Sequence, residues 1–300
     1  MKKLLINRQK DKFLSYYLIL PAMIILLFFN IYPFFRTLYL SFYQWVLTKP
    51  ADREFIGFEN YLNLFKDSNF YESLYITIIY VVVTVFLEII VGFLLATILD
   101  RDLAGKNVFA TIFLIPMTMS PVVVGLFWRA WCSPDFGLIK YFLKKINLGS
   151  IVPIEGFTGS TKTALSTMIF VDFWQWTSFV ILIFLAGLNA LPVEPYEAAE
   201  LDGANSYQKL KYITLPLLKS VIMVVVLFRT MDAFRIFDVI WLMSKGGPGR
   251  VTETLSIFVY RTGFYYWNIG YSTTISLIML IIVIIVTNIL IRVVFKEEFV

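Results

Sequence analysis

No histidine occurs anywhere in the 300 residues, and cysteine occurs once, as Cys132. The missing imidazole removes the commonest general base, the usual zinc ligand and the usual pH switch. A lone thiol rules out an internal disulfide and any multi-cysteine metal or cluster site. Charge is sparse as well, with Asp, Glu, Lys and Arg making up 16% of the chain. No G-x-x-x-x-G-K-[ST] phosphate loop is present, so no nucleotide site is expected here. A membrane-embedded enzyme would have to work on carboxylates and lysines alone, without a nucleophile motif. No catalytic residue, metal or cofactor is assigned to this chain.

Apolar residues fill the space. They reach 59% of the chain with a mean hydropathy of +0.76, against about 45–50% in soluble domains. Crossing about 30 Å of hydrocarbon takes roughly 20 residues in a helix. Six runs qualify, near 14–35, 73–99, 108–131, 163–191, 220–243 and 271–294. The expected fold class is all-α, a polytopic membrane protein with six transmembrane helices in a single transmembrane domain over 1–300. Polar segments between the runs are too short to form another domain of ordinary size.

The net charge of +5 needs no nucleic-acid partner. Much of the excess sits in the first 13 residues, at Lys2, Lys3, Arg8, Lys10 and Lys12. The positive-inside rule makes that end cytoplasmic. A secretory signal peptide is not expected, because the first run is long and no small-x-small cleavage site follows it. The same orientation puts the polar loop 192–219 in the cytoplasm.

That loop is built for local order. Pro195 suits a helix start, where its missing N–H is not needed, and Glu197 then lies near the positive dipole end. Gly203 can take the left-handed cap conformation cheaply, Asn205 or Ser206 can cap a second helix, and Pro216 marks entry into the next apolar run. The pattern predicts a helix, a glycine turn and a second helix between two spans.

Charges inside the runs are the other feature. Glu88 sits in the second, where a lone acid costs about 2.5–3.5 kcal/mol and must face protein or water. On the fourth, Asp172, Gln175, Trp176 and Phe179 share one face at i, i+3, i+4 and i+7. On the fifth, Arg229, Asp232, Ala233 and Ile236 have the same spacing, and Arg235 and Asp238 extend the charge series. Four ionisable groups facing lipid in one span would cost on the order of 10–14 kcal/mol. That side must face partners or a wet cavity. Pairing of Arg229 with Asp232 and of Arg235 with Asp238 within the helix is the structural alternative. Pro116 and Pro121 predict a kink or broken turn in the third run.

Glu197-Ala198-Ala199, followed by Asp202, Gly203, Ile213, Leu215 and Pro216, resembles the EAA signature of ABC importer permeases. The segment FIGFENY near Phe55, the stretch around Pro116 and Pro121, and Gly246-Gly247-Pro248 resemble segments of the carbohydrate-uptake branch. The resemblance runs over about 14–295 and implies a type I importer permease fold. It implies that these eight loop residues dock into an ATP-hydrolysing subunit. It also implies that the fourth- and fifth-span residues named above, Asp172, Gln175, Trp176, Phe179, Arg229, Asp232, Ala233 and Ile236, line a sugar path. The implied partners are a second permease, two ATP-binding subunits that hold ATP and Mg, an extracellular solute-binding protein, and the bilayer of a bacterial cytoplasmic membrane. The fifth-span charges leave room for an acidic saccharide. An ATP-independent carrier using Glu88 or the fifth-span charges as an ion relay is the competing expectation.

Overall fold

The computed structural model describes residues 16–49, 53–101 and 105–295. The basic end at 1–13 lies outside them. Contacts group into two compact units, Met1–Lys66 with Val259–Ile278, and Asp67–Phe258 with Met279–Val300.

The first unit holds helix α1 (Tyr16–Leu40), a two-residue hairpin of β1 (Tyr43–Gln44) and β2 (Glu54–Phe55), and short helix α2 (Glu59–Leu64). Tyr43 pairs with Phe55 and Gln44 with Glu54. Buried Asn60 donates to the carbonyls of Ser41 (2.9 Å) and Tyr43 (3.0 Å), which fixes the turn after α1. The aromatic segment around Phe55–Phe65 is therefore the end of a strand plus a short helix.

In the second unit, α3 (Ser68–Leu99) starts at Asp67, whose carboxylate accepts the Asn69 amide at 2.9 Å. Its 32 residues span about 48 Å, more than a bilayer core needs. Ser73, Thr77, Tyr80, Thr84, Glu88, Gly92 and Ala96 form its buried stripe, while Val82, Phe86 and Leu94 point outward. Small and polar residues inside with apolar ones outside is the packing logic of a membrane bundle. At Gly92 the helix meets α7 (Ala164–Asn189) so closely that a Cβ would sit 2.5 Å from Val180 Cγ1. Gly92→Leu is therefore expected to lower stability by about 1–3 kcal/mol through overpacking. A thermal melt in detergent measures this, and Val180→Ala should recover part of the loss.

The third run is broken as expected. Helices α4 (Lys106–Thr118) and α5 (Pro121–Trp131) meet at 97°. Gln175 donates to the Met119 carbonyl at the break (3.0 Å), and Ser178 donates to that of Phe113 (2.6 Å). Polar groups on α7 thus occupy carbonyls beside a proline-broken helix. Helix α6 (Leu138–Lys145) follows in the loop after α5.

The fifth run departs from expectation. Helix α8 (Glu194–Leu201) leads through the turn to α9 (Ser206–Leu217), and a 65° bend at buried Leu218 leads to α10 (Lys219–Phe234). The chain then leaves helical geometry at Phe237 (φ −138°, ψ −59°) before α11 (Asp238–Met243) begins. A continuous span over 220–243 is not formed. Among the described residues, four helices are long and apolar enough to cross a membrane, or six when each bent pair counts as one span.

Past α11 the chain folds around Arg250, which donates to Asn69 Oδ1 and Glu253 Oε1 (2.6 Å), while Thr77 Oγ1 accepts the Leu255 amide (2.9 Å). Helices α12 (Leu255–Tyr260) and α13 (Ile269–Phe295) complete the chain. The main core of this unit joins Tyr80, Val124, Trp128, Met168, Val171, Phe234 and Ile240.

Candidate functional site

The loop 192–219 forms a knob with a defined shape. Pro195 lies in the first turn of α8 with Glu194 and Glu197, as the dipole favours. Gly203 has φ +74°, the left-handed conformation that suits glycine. Of the two candidate caps it is Asn205 that serves, accepting from the Gln208 amide while Gln208 Oε1 accepts from the Asn205 amide (2.9 and 2.8 Å). Lys209 Nζ reaches Glu200 at 2.6 Å and closes the two helices on each other. That hydrogen bond and the lysine charge hold the Glu200 carboxyl below its usual pKa. Its contribution is therefore present above the ordinary carboxylate range and lost as pH falls through the lowered value.

Ala199, Asp202, Gly203 and Ile213 border one concavity of about 300 Å³. Glu197 and Ala198 are exposed on α8, and Leu215 and Pro216 are exposed in the turn before the 65° bend. Leu201 is 91% exposed at the tip, with Tyr207 and Tyr212 also open. The pattern around Leu201 in the sequence is that of any helical leucine, so nothing there singles it out.

Deeper in the unit lies a charge cluster centred on Arg229, which is only 1% exposed. Its Nε donates to Glu88 Oε2 at 2.6 Å and its Nη2 to Glu88 Oε1 at 2.8 Å. Nη2 also donates to Asp172 Oδ2 and Nη1 to Asp232 Oδ2, each at 2.9 Å. The planar guanidinium is suited to this, because its N–H groups form a rigid fork matching carboxylate geometry. The Trp176 ring lies 5.0 Å from its Cζ. One side chain thus ties α3, α7 and α10 together.

The pairing of Arg229 with Asp232 expected within the helix exists, but the same guanidinium also takes two acids from other helices. Arg235 does not pair with Asp238: the helix ends between them, and Arg235 turns back to Asp232 at 3.6 Å. Glu88 has both carboxylate oxygens engaged by one arginine, so the ATP-independent carrier built on it as a relay gains no support. Arg229 was singled out in the sequence, but its pairing with Glu88 was not. The available signal was charge balance, since buried acids on two spans require a cation on a third.

Trp176, Phe179, Arg229 and Asp232 line an open cavity of about 510 Å³, together with Phe228, Met231, Arg235, Leu280 and Val283. Asp232 is its accessible acid, with a side chain 45% exposed. The other four residues expected on the path do not border this cavity. Asp172 is buried behind Arg229, Gln175 is buried at the α4–α5 break, Ala233 is buried in the main core, and Ile236 packs against that core. Helical spacing gave them the right side of each helix but not the right depth, and α10 ends before Ile236.

Comparison with known proteins gives a consistent result. Residues 88–297 match the model of the binding-protein-dependent transport system inner membrane component family. The probable ABC transporter permease protein y4oQ of Sinorhizobium fredii is 39% identical over 265 residues, covering 88% of this chain and 84% of that protein. The trehalose/maltose transport system permease protein MalF of Thermococcus litoralis is 34% identical over 263 residues, covering 88% and 86%. The sulfoquinovosyl glycerol transport system permease protein SmoG of Agrobacterium fabrum is 31% identical, covering 96% and 92%. A chain in the crystal structure of a bacterial ABC transporter involved in the import of the acidic polysaccharide alginate shares the fold, with a TM-score of 0.84 at 21% identity over 98% of this chain and 99% of that one. With the knob, the broken spans and these matches in place, the chain belongs to the family of binding-protein-dependent transport system inner membrane components, as a membrane-embedded ABC importer permease and not an enzyme.

Proposed function

We propose that this permease carries a saccharide through the cavity beside Trp176 and Asp232, driven by ATPases gripping the knob at 192–219. The observation that carries the reading is the continuity of α10. It starts at the knob's 65° bend, holds Arg229 in the three-helix cluster, and presents Asp232 to the cavity. Movement of the knob therefore has a direct mechanical route to the cavity wall. A sugar suits that wall, since Trp176 and Phe179 offer aromatic faces while Asp232 and Arg235 offer an acceptor and donors. Relatives named for trehalose, maltose and sulfoquinovosyl glycerol transport support the same substrate class.

In this reading Glu197, Ala198, Ala199, Asp202, Gly203, Ile213, Leu215 and Pro216 form the face that an ATP-binding subunit holds. Two such subunits bind ATP and Mg, and a second permease completes the path. An extracellular binding protein delivers solute, and the N-terminus lies on the cytoplasmic side of a bacterial cytoplasmic membrane. The states of the cycle differ in which contacts the partners make, and that difference couples ATP to movement.

The complex co-purified from native membranes and reconstituted with its binding protein tests this. Saccharides should stimulate ATP hydrolysis, and Trp176→Ala should cut uptake while leaving ATPase-subunit binding intact. Equal loss of both would make Trp176 a structural residue, and lack of stimulation by any saccharide would remove the substrate class.

A further inference from the structure

At the far end of α1 the structure holds two arginines that the transport reading does not use. Arg36 and Arg53 line one cavity of about 380 Å³ with Tyr32, Phe35, Tyr39 and Leu40. Among the described residues, neither guanidinium has a carboxylate partner within ion-pair distance. Arg53 is nevertheless held in place. Its Cζ lies 4.5 Å from the ring centre of Tyr43, 5.2 Å from Trp45 and 5.3 Å from Tyr39. Those tyrosines are themselves joined by a hydroxyl–hydroxyl bond of 2.7 Å. Stacking on aromatic faces orients a guanidinium while leaving its in-plane N–H groups free. Two such cations beside one another repel unless an anion lies between them.

The setting identifies the anion. Helix α1 has 25 residues, about 37 Å, so it exceeds the roughly 30 Å of hydrocarbon and its last turns reach headgroup depth. Arg36 stands in those turns, among tyrosines typical of the interface. Within its own unit, none of the helix's most apolar stretch is buried, which leaves a face along which acyl chains can lie. We infer that Arg36 and Arg53, with the aromatic rim around them, form a binding site for the phosphate of an anionic phospholipid.

The test uses the full-length chain in its purified membrane complex, offered phosphatidylglycerol or phosphatidylcholine and analysed by native mass spectrometry. The wild type should retain one more tightly held phosphatidylglycerol than the R36Q/R53Q double variant, with apparent affinity lower by at least about tenfold in the variant. R36K/R53K should fall between the two, keeping the charge but losing the fork. Both arginines are exposed, so the variants should fold and assemble. Equal retention by wild type and R36Q/R53Q overturns the proposal. So does binding of inorganic phosphate without lipid retention. Loss of a partner subunit from R36Q/R53Q with lipid count unchanged would reassign the pair to a protein contact and equally overturn it.

Discussion

Arg229→Met is expected to destabilise the protein by about 3–5 kcal/mol, because it strands buried acids that had one cation among them. Glu88 is 0% exposed and Asp172 nearly so, and neither has water to turn to. The removed side chain also supplied four charge-assisted hydrogen bonds on three helices. A thermal melt followed by size-exclusion chromatography in detergent should show the drop. Neutralising the partners tests the cause. Arg229→Met combined with Glu88→Gln and Asp172→Asn should regain most of the folded yield, since replacing a whole buried ionic group costs far less than breaking it. Uptake should stay low in that combination. A single Arg229→Met variant that melts like wild type would show that the cluster is not ionised as drawn.

The second large effect concerns Gly203. Gly203→Val should abolish uptake while leaving the protein inserted, and Gly203→Asn should retain much of it. Nothing lies within 4 Å of a Cβ built there, so no clash inside the chain is involved. The backbone is the reason: φ is +74°, which costs an L-residue roughly 1–2 kcal/mol but which asparagine tolerates. Valine should open the angle between α8 and α9 and misplace Glu197. Glu197→Lys should block docking by charge without altering the knob's shape. Uptake in membrane vesicles and pull-down of the ATPase subunit measure both. Undiminished uptake in Gly203→Val and Glu197→Lys would remove the docking assignment.

Features set by local chemistry were legible in the sequence. Pro195, Gly203 and Asn205 announce a helix, a turn and a capped helix, because each acts within a few residues of itself. Pro116 and Pro121 announce a break for the same reason. The apolar runs gave the spans, with one failure at Arg235–Phe237, where the greasy pattern continues though the helix does not. Depth was not legible. Asp172 and Trp176 lie one turn apart on one face, yet one is sealed behind Arg229 and the other borders the cavity. Which of the two faces open space depends on how α3 and α10 approach α7, and that is settled by contacts such as Gly92 against Val180 far along the chain. The convergence of Glu88 on Arg229 is equally non-local, since 141 residues separate them.

The bend at Leu218 sets a lever arm. Arg229 stands about 16 Å up α10 from that pivot, taking 1.5 Å per residue. A tilt of about ten degrees would swing it by about 3 Å, as long as any of the bonds it makes. The guanidinium cannot stretch to absorb that. If α10 tilts on that pivot, either α3 and α7 ride with it as one body or the salt bridges to Glu88 and Asp172 part.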